Sequence, residues 1–157
     1  MKKLYIVIHC SDSSFGNVAL LTKWHVLPKP NGNGWSNIGY HKVILNGHLS
    51  SKHYNESLDG SIETGRPLDD DNLLEKGEYG AHVKGFNSQS IGVCLIGKSN
   101  DFTPNQLATM IKTVKDLKGQ FSNYDVKVVQ HSDLDPKKPF CAGLHDEVMR
   151  ALNIMEE

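Results

Sequence analysis

Two stretches of this chain are apolar at nearly every position: Leu4-Tyr5-Ile6-Val7-Ile8, and Ile91-Gly92-Val93-Cys94-Leu95-Ile96 between Ser90 and Gly97. Neither alternates. A strand with one wet face shows apolar and polar residues in turn, whereas a strand covered on both faces stays apolar throughout. The second run therefore reads as a central strand, and residues 4–10 as a buried first strand. Such a sheet needs helices to cover it, and the chain offers them. Residues 18–27 form a short helix closed by Pro28 and Pro30. Thr103 caps a longer one, with Pro104 at its first position, Gln106 completing a capping box, and Leu107, Met110, Ile111, Val114 and Leu117 on one face up to a stop at Gly119. Residues 144–154 supply a final amphipathic helix.

Between these, Tyr40 to Leu45 reads as a strand, Asn46-Gly47 as a tight turn, and His48 to Tyr54 as the returning strand. Residues 55–80 are acidic and glycine-punctuated without periodicity, which predicts a long loop of the kind that borders a cleft. Val126, Val128 and Val129 lead a last strand into His131. Strands and helices mix with at least one hairpin, so the expected class is α/β: one domain over residues 1–157, a central mixed β-sheet flanked by helices.

The chain has 157 residues, 38% hydrophobic and 22% charged, with a formal net charge of −1. That balance excludes a disordered chain and gives no electrostatic claim on nucleic acid. Met1-Lys2-Lys3 before the first apolar run resembles the start of a signal peptide. The run ends at His9-Cys10-Ser11-Asp12, too short for an export signal or a membrane span, so synthesis in the cytoplasm and no membrane insertion are expected. Cys10, Cys94 and Cys141 cannot all pair, and a chain this long needs no disulfide framework.

Eight histidines are present, and two of them end apolar strands: His9 after Ile6-Val7-Ile8, and His131 after Val128-Val129-Gln130. Strand ends hold side chains rigidly at the rim of a sheet. Cys141 lies ten residues past His131, across a loop long enough to curl back. Two imidazoles and a thiolate make a three-ligand zinc set, which leaves the fourth tetrahedral position open as catalytic sites require. A strand-end histidine is also an ordinary satisfied polar residue. Cys10 is a rival thiol, although neighbouring strand residues point to opposite faces. Cys94 reads as a small core residue.

Five segments together carry a family resemblance: Val7-Ile8-His9-Cys10-Ser11; Asn37-Ile38-Gly39-Tyr40-His41; Gly80-Ala81-His82-Val83-Lys84-Gly85-Phe86-Asn87; Ser90 to Gly97; and His131 with Cys141. In this order, over about residues 4 to 145, they resemble the zinc-dependent N-acetylmuramoyl-L-alanine amidases of the phage lysozyme type, a family that includes the peptidoglycan recognition proteins. The resemblance implies Zn2+ on His9, His131 and Cys141, a catalytic tyrosine at Tyr40, and a groove histidine at His82. It also implies a lysine near the third ligand. Here the sequence departs from the family: Pro139 takes the usual place, leaving Lys138 three residues before Cys141 and Lys137 four. Ala142-Gly143 follows the cysteine where the family often has proline.

The implied activity is hydrolysis of the amide between N-acetylmuramic acid and the L-alanine of the stem peptide. The expected partner is peptidoglycan, with both glycan strand and stem peptide engaged by a monomer that has no separate wall-binding domain. A phage or prophage endolysin, reaching the wall through other machinery, fits best. A non-catalytic peptidoglycan-binding module of the same fold and a cytoplasmic muropeptide-recycling amidase are the alternatives.

Overall fold

The structure, a computed structural model, describes residues 1–156. Five strands form one sheet: β1 (Lys3–Cys10), β2 (Lys42–Ser50), β3 (His53–Thr64), β4 (Ser90–Leu95) and β5 (Asp125–Gln130). Their spatial order is β3-β2-β4-β1-β5. β1 runs parallel to both β4 and β5, β2 runs parallel to β4, and β3 pairs antiparallel with β2. The sheet is mixed, as its sequence predicts, and β1 and β4 occupy interior positions.

Alternation along β1 assigns the two faces. Leu4, Ile6 and Ile8 point to one side and pack with Met110, Val114 and Leu117 of α2 (Pro104–Gln120) and with Met149 and Leu152 of α4 (Asp146–Ile154). Val7 points to the other and meets Val83 and Val129. On that second face Val43, Leu45, Cys94 and Ile96 cover Leu21 of α1 (Val18–Val26). Truncating one of these fully buried aliphatics to alanine typically costs about 2–5 kcal/mol.

The hairpin is not where Asn46-Gly47 places it. β2 runs straight through that dipeptide to Ser50, with register shifts on either side of Asn46 and His48, and the reversal falls at Ser51-Lys52. The reason is conformational. Gly47 has φ +90°, which a glycine supplies equally well to a β-bulge or to a two-residue turn. Asn46 is then held by its amide donating to the Ser14 carbonyl while its oxygen accepts from His48 N–H. β3 takes up the first part of the expected 55–80 loop. It is an edge strand whose residues are largely exposed, so no apolar alternation marks it. α2 continues through Gly119 to Gln120.

Candidate active site

Four strands, β2, β4, β1 and β5, run parallel, so their C-terminal ends share one edge of the sheet, where open α/β folds hold their ligands. His9 is the penultimate residue of β1, and its ring lies on the face of Val7. β5 stops at Gln130, and His131 begins a one-turn helix, α3 (His131–Leu134), rather than ending the strand itself. The loop after α3 folds back on itself: Lys138 N–H donates to the Asp135 carbonyl, Cys141 N–H to the Lys138 carbonyl, and Ser132 N–H to the Cys141 carbonyl. This return puts the Cys141 sulfur 3.2 Å from the Cys10 backbone N–H at the end of β1. One donor atom from each of His9, His131 and Cys141 then falls within 4.8 Å of the others.

The Nδ1 atoms of His9 and His131 face each other at 3.1 Å. Their other nitrogens point away from this contact. His9 Nε2 is 2.8 Å from His82 Nδ1, and His131 Nε2 is 3.7 Å from the Asp135 carboxylate. Zinc–nitrogen bonds of about 2.0–2.1 Å at the tetrahedral angle separate two ligand nitrogens by about 3.3 Å, so this donor set fits such an ion in spacing and in chemistry. Burial holds the His9 imidazole well below its ordinary pKa, reinforced by the neighbouring imidazoles, and burial lowers His131 too. Both rings are therefore neutral ligands near pH 7. Cys10 belongs to the α2-facing core and is buried, so the rival thiol lies beside Cys141 without joining the donor cluster. Cys94 is fully buried in β4.

Tyr40 sits just before β2 with its ring centroid 4.9 Å from that of His9 and 5.4 Å from His25. Burial lifts its phenol well above the usual range, so the hydroxyl keeps its proton. His25, which no pattern in the sequence marks, accepts Gly39 N–H on Nδ1 at 2.9 Å and packs at a tilt against Trp35. It thereby braces the turn that presents Tyr40. Asp135 was also missed, although its place one helical turn after His131 is a usable signal.

Two clefts meet at Tyr40, His131 and Lys138. One, of about 360 Å³, runs past Asp12, Ser99, Lys137 and the exposed Phe140. The other, of about 530 Å³, runs past Trp35, Lys84 and Asn87. Lys138 borders both clefts and Lys137 only the first. His82 lies on the floor of the larger cleft, 8% exposed, with both ring nitrogens engaged inside the protein. What it offers a substrate is a ring edge rather than a hydrogen bond. His41 faces away from the clefts and is fully buried.

Comparison with known proteins places this geometry. A family profile described as N-acetylmuramoyl-L-alanine amidase matches residues 2–141. The endolysin of Klebsiella phage KP32 is 32% identical over 142 residues, which cover 84% of this chain and 76% of that protein. The endolysin of Escherichia phage T7 is 28% identical over the same shares of both chains. Among solved structures, the N-acetylmuramoyl-L-alanine amidase LysC from Clostridium intestinale URNW superposes with a TM-score of 0.70 at 23% identity, covering 97% of this chain and 86% of its own. Bumblebee PGRP-SA superposes with a TM-score of 0.67 at 19% identity, covering 95% and 79%. At these identities the structural likenesses establish the fold.

Proposed function

The chain belongs to the N-acetylmuramoyl-L-alanine amidase family, and we propose that it is a zinc-dependent endolysin cleaving the amide between N-acetylmuramic acid and L-alanine in peptidoglycan. The observation that carries the zinc dependence is the His9, His131 and Cys141 cluster, with its neutral imidazoles and facing nitrogens at the junction of two clefts. Zinc bound there would polarise the scissile carbonyl and provide hydrolytic water at neutral pH.

The protein's own residues supply the rest. Tyr40 retains its proton and donates a hydrogen bond to the amide oxygen as negative charge develops on it. Lys138, at the meeting point of the clefts, brings a positive charge to that oxygen or a proton to the departing amine. Two clefts diverging from one reacting centre suit a branched substrate, with glycan on one side of the amide and stem peptide on the other. A single domain acting as a monomer completes the proposal. No helix among the described residues is long and apolar enough to cross a membrane.

Purified protein incubated with intact peptidoglycan should release new L-alanine amino termini, and a chelator should stop the release. Absence of new termini overturns the amidase reading, and release untouched by chelator overturns its zinc dependence. Cleavage of soluble muropeptides with sacculi left intact points instead to a recycling enzyme.

A further inference from the structure

Behind His9 lies a short line of buried polar groups that ends on a backbone carbonyl. Ser90 Oγ is 2.8 Å from the Phe86 carbonyl oxygen and 3.2 Å from His82 Nε2. His82 Nδ1 is in turn 2.8 Å from His9 Nε2. His9 and Ser90 have no exposed surface and His82 is 8% exposed, so solvent has little access to stand in for a missing partner.

The direction of every hydrogen bond follows from the terminal carbonyl, which can only accept. Ser90 spends its single proton on it. The Ser90 oxygen therefore accepts from His82, which places the His82 proton on Nε2 and leaves Nδ1 bare. That bare nitrogen accepts from His9 Nε2–H. The His9 lone pair is then confined to Nδ1, the atom that faces His131 Nδ1 at 3.1 Å. That lone pair can accept a proton from His131 or bind a cation placed between the two rings.

We infer that His82, set by Ser90, is a positioning residue: it fixes the tautomer and ring angle of His9 and so tunes metal affinity, rather than hydrogen-bonding substrate. The inference rests on the proposed zinc site. Close packing supports it independently. A Cβ on Gly92 of β4 would approach the His82 ring to 2.8–3.0 Å, so the ring lies against bare strand backbone that only glycine leaves open. A second group behind a metal-bound histidine is typically worth about 10- to 100-fold in metal affinity.

The test is zinc affinity by competition with a chromogenic chelator. His82→Ala should weaken binding by about tenfold or more. His82→Asn should retain most of the affinity, because the asparagine oxygen stands near the place of Nδ1 and accepts the same proton. Affinity of His82→Ala within twofold of wild type overturns the inference, as does an asparagine variant no better than alanine. Should His82→Ala fail to fold, nitrogen-15 NMR of the wild-type imidazoles decides: Nε2–H on both His9 and His82 supports the assignment, and Nδ1–H on either overturns it. Activity is read in none of these arms, so failure of the amidase reading and failure of this one appear in separate assays.

Discussion

Two adjacent lysines precede Cys141, and their surroundings differ. Lys137 borders one cleft, with its backbone N–H tied to the Asp135 side chain. Lys138 borders both, and its charge is one of the influences that hold down the pKa of His131. The proposed function puts the scissile bond where the clefts meet, so a cation acting on its developing oxyanion must stand there. Lys138→Ala should therefore lower kcat/KM on peptidoglycan by about two to three orders of magnitude, the usual loss for one oxyanion donor. Lys137→Ala should stay within a few-fold of wild type, as expected for an exposed charge that touches no reacting atom. Zinc content measured alongside should be full in both variants, which separates a lost catalytic charge from a damaged metal site. The opposite ranking would transfer the role to Lys137.

One buried polar side chain of helix α2 reaches into the sheet backbone. Gln106 is fully buried, its amide donating to the Ile44 carbonyl at 3.1 Å and the Ile96 carbonyl at 2.8 Å while its oxygen accepts Thr103 N–H at 2.9 Å. One residue thus completes the helix cap and bridges β2 to the residue after β4. Gln106→Leu keeps the volume and removes three buried hydrogen bonds, so it should cost about 2–3 kcal/mol. Thr103→Ala loses the cap and its bond to Asp59 and should cost about 1 kcal/mol. Denaturant unfolding of the two variants checks the ranking. This helix was legible in the sequence because a capping box is local: Thr103, Pro104 and Gln106 announce it without knowledge of the fold. β3 was not, because an exposed edge strand is defined by its pairing with β2 and carries no buried pattern of its own. The same divide runs through the site. His9, His131 and Cys141 stood out by strand ends and order along the chain, whereas the engagement of His82 with Ser90 and His9 exists only once β1, β4 and the loop before β4 have come together.

Across the whole molecule, His9, His41, His82 and His131 are buried and held neutral, each with its proton affinity lowered chiefly by burial. His41 shows the consequence without involvement in the proposed metal site. Its Nδ1 accepts Gly92 N–H from β4 at 3.0 Å, so its one proton is on Nε2 and donates to the Glu78 carbonyl at 2.6 Å. The neutral ring joins the start of β2 to β4 and to the one-turn 3-10 helix at Lys76–Glu78, and a second proton has no acceptor to meet. Burial accordingly lowers its pKa to about 4. An unfolded chain takes up that proton near pH 6.5, whereas the folded one resists until about pH 4. The unfolded state therefore binds more protons throughout this interval, and stability falls as the pH drops through it. About 2.5 pH units at 1.36 kcal/mol each makes the contribution of His41 roughly 3 kcal/mol, fully present above pH 6.5 and fully lost below 4. The other three buried rings act in the same direction. His41→Gln should be less stable than wild type at pH 7, because glutamine reproduces the two hydrogen bonds imperfectly, yet it should lose less stability between pH 7 and pH 5. Denaturant unfolding of both proteins at the two pH values measures the difference of differences, which cancels the contribution of the other buried histidines. Parallel losses in wild type and variant would mean that His41 takes up its proton in the folded protein as readily as in the unfolded one, and the acid sensitivity of the fold would then rest on the other three rings.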